Sequence, residues 1–135
     1  MILKTILSVS GKPGLYRLIS QTKSLLIAEA LTDEKKRTPI YPTERVVSLG
    51  DIAIYTNNEE VPLEDVLIAI KERYHGERLT LDIKKGEASV FSSFMEEVLP
   101  EYDKERVRLS DIKKLVQWYN ILSDSGVLLE FKKQD

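Results

Sequence analysis

The sequence predicts an α+β protein in two parts: a small β-barrel over residues 1–58, then a linker helix and connector over 59–86 and a small helical domain over 87–135. Three observations predict it. Residues 1–58 are cut at close spacing by Gly, Pro and charged turns into short apolar runs, whereas from Pro62 the apolar residues recur at helical spacing. The charge inverts at Asn57 and Asn58: residues 1–58 hold eight Lys/Arg against five Asp/Glu, a balance of +3, and residues 59–135 hold twelve against seventeen, a balance of −5. Five strand candidates inside one such short segment read as a barrel or a strongly bent sheet.

Leu3, Ile6 and Leu7 fall at i, i+3, i+4 and predict a short opening helix, ended by the Ser10-Gly11-Lys12-Pro13-Gly14 turn. Gly14 opens a strand from Leu15 to Ser20. A polar turn at Gln21-Thr22-Lys23 joins it to the apolar run from Leu25 to Leu31, a hairpin. The charged turn 32–36 precedes a third strand, 37–41, which Pro39 restricts to an edge or a bulge because it cannot donate to a ladder. Residues 45–48 and 52–55 are the last strand candidates, divided by a bend at Leu49-Gly50-Asp51.

Pro62 suits the start of a helix whose stripe is Leu63, Val66, Leu67, Ile70 and Tyr74, with Glu64 and Asp65 favouring its N-terminal dipole and Gly76 its stop. Leu79, Leu81 and Ile83 alternate as in a brief strand or a linker. A second helix at 87–99 carries Val90, Phe91, Phe94, Met95, Val98 and Leu99 on one face and ends at Pro100. The third runs from Ser110, an acceptable N-cap, to about Asp124, with Gly126 closing it. Ile112, Leu115, Val116, Tyr119 and Leu122 form its stripe, widened by Trp118 and Ile121, which makes it the centre of the helical core. The tail from Val127 to Phe131 reads as a strand or an extended arm.

Composition narrows the chemistry. An apolar fraction of 42% with 31% charged residues is that of a soluble globular chain, and no apolar run approaches the ~18 residues of a membrane span. The N-terminal apolar stretch lacks the basic leader and long hydrophobic core of a signal peptide, so cytoplasmic residence is the default expectation. Zero cysteines exclude disulfides, thiolate nucleophiles and Cys-ligated metal. His75 is the only histidine, and beside a helix-ending glycine it reads as an exposed C-terminal residue rather than a metal ligand or catalytic base. Gly11-Lys12 is not a phosphate-binding P-loop, because the first glycine of G-x-x-x-x-G-K-[ST] is missing and Pro13 replaces the hydroxyl residue. The adjacent carboxylates Glu59-Glu60, Glu64-Asp65 and Glu96-Glu97 point in different directions on a helix and share no site. An enzyme is therefore not expected, nor any cofactor or metal.

Several separated motifs, KTILSVSGKPGLY over 4–16, SLGDIAIYT over 48–56, VPL over 61–63, SDIKK over 110–114 and WYNIL over 118–122, resemble an uncharacterised family of short two-domain Bacteroidetes proteins. That resemblance implies an SH3-like or Tudor-like barrel followed by a helical domain, with nucleic-acid or partner binding in general terms. It implies no activity and carries over no catalytic residue.

The binding signals lie in the basic half. Lys12, Arg17, Lys35, Lys36, Arg37 and Arg45, interleaved with Tyr16, Tyr41 and Tyr55, combine phosphate neutralisation with base stacking, so RNA or DNA contact through the barrel is the leading expectation. The alternative is a protein-interaction adaptor whose barrel holds a peptide or a methylated side chain in a cage of Tyr16, Tyr41 and Tyr55. The acidic helical domain would recruit another protein or limit indiscriminate binding. Lys113, Lys114, Gln117 and Asn120 form a polar face on the third helix that reads as solvated more readily than as a groove-entering surface.

Overall fold

A computed structural model describes residues 2–12, 14–32 and 34–131; Pro13, which the sequence places in the 10–14 turn, and Asp33, which it places in the charged turn 32–36, lie outside the described residues. Seven strands and three helices follow in the order β1 Ile6–Val9, β2 Tyr16–Gln21, β3 Leu26–Ala30, β4 Arg37–Ile40, β5 Val46–Ser48, β6 Ala53–Ile54, β7 Val61–Pro62, α1 Leu63–Tyr74, α2 Ala88–Val98 and α3 Leu109–Asp124. The chain divides into two compact units, Met1–Ile52 and Ala53–Asp135. No charged residue lies between 53 and 58, so the same +3 and −5 balances fall on these units.

The first unit is a five-stranded antiparallel sheet of order β4-β3-β2-β1-β5. Leu7 and Val9 of β1, Ala28 of β3 and Ile40 of β4 are buried in one cluster, and Tyr16, Leu18, Leu26 and Val46 pack around it. These residues alternate along their strands, which is why one face of the sheet is apolar. Ile19 is the extra residue of a bulge that shifts the β2–β3 register between Leu18 and Ser20. The closed barrel expected from the sequence is not formed: β4 and β5 remain edge strands, and the backbone of β4 places Pro39 where no ladder donor is needed. The expected opening helix is also corrected. Residues Ile2–Thr5 make a single 3-10 turn, after which Ile6 and Leu7 join β1 because pairing with both β2 and β5 satisfies more backbone groups than a lone helical turn would.

A second 3-10 turn, Leu49–Asp51, packs against the first. Ser48 Oγ donates to Lys4 O at 2.7 Å, and a Cβ on Gly50 would stand 2.8 Å from the backbone of Lys4. Only glycine permits that approach.

In the second unit the strand expected at 52–55 belongs to a separate hairpin, β6 with β7, through Ala53 opposite Pro62 and Ile54 opposite Val61. Beyond it, Asp103 N donates to Tyr55 O and Asn57 N to Glu101 O, both at 2.9 Å, and Thr56 bridges Tyr102. The three helices follow their apolar stripes. Leu63, Val66, Leu67 and Ile70 of α1, Phe91, Phe94 and Met95 of α2, and Ile112, Leu115, Val116, Tyr119 and Leu122 of α3 are all buried. Helix α1 ends at His75, left-handed at φ 58°, followed by Gly76 at φ 73°. Helix α3 starts one residue before the expected Ser110 cap: Arg108 is the N-cap residue, and its N–H donates to Asp111 Oδ2 at 3.0 Å. The tail is neither strand nor extended arm but a 3-10 turn, Val127–Glu130, which buries Val127 and Leu128.

The brief strand at 79–83 is not a strand of any ladder. Helix α3 supplies its hydrogen bonds instead: Asn120 Oδ1 accepts from Leu79 N at 2.7 Å and Asn120 Nδ2 donates to Leu79 O at 3.2 Å. Tyr119 Oη donates to Glu77 O at 2.9 Å, Ser123 Oγ to Gly76 O at 2.8 Å, and Arg78 Nε to Asp124 Oδ2 at 3.2 Å. Four side chains on one face of α3 thus hold residues 76–79.

Two stability predictions follow from these contacts. Gly50→Ala must push the two 3-10 turns apart and should cost the first unit about 1–3 kcal/mol, read as a lowered urea midpoint. Asn120→Leu keeps the volume but orphans a buried N–H and C=O, so the second unit should lose about 2–4 kcal/mol; a loss under about 0.5 kcal/mol would mean water replaces the amide.

Candidate binding surfaces

The register of the sheet gathers the sequence-predicted cations at one end. Strands β1 and β3 end where β2 and β4 begin, so the 10–15 and 31–36 turns share that end, and Arg45 joins them by accepting from Ser10 N at 2.9 Å. Lys12 sits in the first turn, Lys35 and Lys36 in the second, Arg17 near the start of β2 and Arg37 at the start of β4. The connection 41–45 crosses from the Leu26 end of β4 to the Val9 end of β1, which carries Arg45 there. Lys35 adopts a left-handed backbone, φ 49°, that closes the turn with its N–H on Thr32 O at 3.1 Å.

Some of this charge is neutralised locally. Lys12 Nζ lies 3.2 Å from Glu44 Oε1, and Arg37 Nε lies 3.7 Å from Glu29 Oε2. Arg17 stands opposite Glu29 across the β2–β3 ladder. Lys35, Lys36 and Arg45 are exposed and form no ion pair among the described residues. The Tyr41 N–H, donating to Glu44 Oε2 at 2.9 Å, and then the Lys12 ammonium hold the Glu44 carboxyl below the usual carboxylate range.

Tyr16 and Tyr41 are not brought together. Tyr16 is half-buried against the core of the sheet, opposite Ala30, whereas Tyr41 follows Ile40, opposite Leu26. Four residues along β3 separate those rows, roughly 13 Å. Tyr41 is 53% exposed and borders a groove of about 280 Å³ with Leu25, Leu26, Ile40, Pro42 and Val46. Tyr55 belongs to the second unit, where the Arg106 guanidinium stacks on its ring at 4.3 Å and is itself held by Asp103 at 2.8 Å.

Helix α3 offers less of a polar face than its sequence suggests, because Asn120 is turned inward to Leu79 and only 5% exposed. Lys113 lies over the Phe91 ring at 5.7 Å and Lys114 over Trp118 at 5.8 Å. Among the described residues no three His, Asp or Glu side chains converge as metal ligands, and no helix is long and apolar enough to cross a membrane. His75 is exposed at the end of α1.

Sequence reasoning missed a groove of about 580 Å³ beside α1 and α2, lined by Tyr74, 77–81, Val90, Phe94 and Glu97. Its signal was the Leu79, Leu81, Ile83 alternation, which has no strand neighbour in the sequence. The rings of Tyr74 and Phe94 are tilted at 39° with centroids 6.0 Å apart. Burial, and then the Glu97 carboxylate that accepts its hydroxyl at 3.2 Å, push the Tyr74 phenol up.

Residues 52–122 match a family model described as a domain of unknown function, DUF6852, and residues 3–49 match another, DUF5606. A solution NMR structure of a structural-genomics target from Bacteroides vulgatus is 52% identical, covers 93% of this chain and 88% of its own, and superposes with a TM-score of 0.77. No curated protein matches the chain.

The Glu44 contacts predict a titration. Because the carboxylate is favoured in the folded state, its contribution is complete above the ordinary carboxylate range and is lost as pH falls through the depressed value. Followed by carboxyl NMR shifts, Glu44 should titrate below an ordinary glutamate, and Lys12→Ala should raise it only partway, since the Tyr41 N–H remains.

Proposed function

The chain belongs to the family described as a domain of unknown function, DUF6852, and from that premise we propose that it is a non-enzymatic binding protein whose N-terminal sheet contacts RNA or DNA. One observation carries the reading: strand register collects Lys12, Arg17, Lys35, Lys36, Arg37 and Arg45 at one end of the sheet, where the described acids are Glu29, Glu34 and Glu44. Lys35, Lys36 and Arg45 supply the charge available to phosphates, and Arg37 joins them by exchanging Glu29 for a phosphate oxygen. Tyr41 is exposed at the opposite end of the sheet, roughly 13 Å along β3, so phosphate neutralisation rather than base stacking carries the contact at the basic end.

The strand order, with β2 central and the 41–45 connection joining the edge strands β4 and β5, supports an SH3-like roll left unclosed between its edges. In this reading the cytoplasmic protein works as two modules. The acidic second unit repels phosphate, so binding is confined to one end of the first unit and indiscriminate coating of nucleic acid is limited.

Fluorescence anisotropy of labelled oligonucleotides at two salt concentrations tests the proposal. With about three to four phosphate contacts, the log–log salt slope should be roughly −2 to −4. Lys35→Glu/Lys36→Glu should abolish binding while leaving the fold intact, because both side chains are exposed and form no ion pair among the described residues. A folded protein with no oligonucleotide affinity at low salt would reject the reading.

A further inference from the structure

The stretch after α1 has one edge filled and one edge open. Along 78–83 the residues alternate between exposed and at least half-buried, with Leu79 only 3% exposed, which is the period of an extended chain. In such a chain the N–H and C=O of one residue point to one side and those of the next residue to the other. Asn120 takes both groups of Leu79 on the α3 side. The corresponding groups of Arg78 and Thr80 therefore point away from α3, and neither residue's backbone makes a hydrogen bond among the described residues. Two such pairs at i and i+2 are the pairing edge of an antiparallel strand.

The surroundings say what kind of strand fits. These residues line the groove of about 580 Å³ together with Phe94 and with Val90, which is 45% exposed. Of the charges in that lining, Arg78 is held by Asp124 at 3.2 Å and Glu97 by Arg73 at 3.4 Å, while Glu77 forms no ion pair among the described residues, in a unit of net charge −5. An anionic ligand is repelled here, and a cationic one is attracted.

We propose that this edge binds an extended peptide segment of a partner protein, which adds as an antiparallel strand along residues 78–80. An apolar side chain of the peptide packs on Val90 and Phe94, and a neighbouring Lys or Arg meets Glu77. Main-chain pairing supplies the affinity and the groove supplies the preference, as in other strand-addition sites. The surface belongs to the second unit and the basic end to the first, so the two proposals are tested independently.

The full chain is screened against an array of random linear peptides about seven residues long, matching the few pairing positions available. The strongest binder is then titrated into isotope-labelled protein and read by amide shifts and hydrogen exchange. Binders should carry Lys or Arg beside Val, Ile or Leu. The amides of Arg78 and Thr80 should shift and exchange at least about tenfold more slowly, while that of Leu79, already bonded to Asn120, should not. Thr80→Pro, which removes the donor, and Val90→Lys, which charges the groove, should each weaken binding about tenfold or more without lowering Tm. Lys35→Glu/Lys36→Glu should leave peptide binding unchanged. An array without binders, binders that shift amides elsewhere, or indifference to both groove variants would overturn the proposal. So would a concentration-dependent dimer that protects the Thr80 amide without peptide, since the occupant would then be a second copy of the chain.

Discussion

The four contacts that α3 makes to residues 76–79 are the interaction on which the second unit depends, because they replace a strand that the fold lacks. A buried extended segment must place its backbone N–H and C=O groups somewhere. With no ladder neighbour available, Tyr119, Asn120, Ser123 and Asp124 take them or anchor the chain beside them. Burial and the nearby Glu77 carboxylate raise the Tyr119 phenol, which favours the protonated form that donates this bond. The same helix buries Ile112, Leu115, Val116 and Leu122, and so one element supplies both the apolar core and the polar register of its neighbour.

Backbone satisfaction also explains where the first unit stops. Ala53 and Ile54 find partners in Val61 and Pro62, and residues 55–57 find theirs in 101–103, so these residues fold with the helices although their composition resembles the strands before them. In the sheet, β1 is the one strand that bonds on both sides to β2 and β5, which makes its four residues the hinge of the strand order. The 3-10 turns that precede β1 and follow β5 pack closely enough that Gly50 has no space for a side chain.

Electrostatics then separates the surfaces. The +3 and −5 balances reside on different units, and strand register sharpens the first by turning scattered lysines and arginines into one end of a sheet. Ion pairs within the unit, Lys12 with Glu44 and Arg37 with Glu29, take part of that charge out of circulation. These exposed pairs are worth little to stability, so their larger effect is on which cations remain to meet a ligand.

The amino-acid sequence by itself determined the α+β class, the helices within one or two residues, the edge character of β4 through Pro39, and the opposite charge of the two halves, because periodicity, proline chemistry and net charge are local properties. It also marked the cations that the sheet later assembles. Only the tertiary structure decided that the sheet stays open, that residues 53–58 fold with the second unit, and that Tyr16 and Tyr41 stand at opposite ends of the sheet. Asn120 shows the reason most plainly. Its helical spacing among Lys113, Lys114 and Gln117 reads as a solvated face, yet it lies buried against Leu79, forty-one residues away in the chain, whose unpaired backbone no local pattern announces. Which polar group meets which is a matter of long-range hydrogen-bond satisfaction, and that is settled only when the distant segments pack.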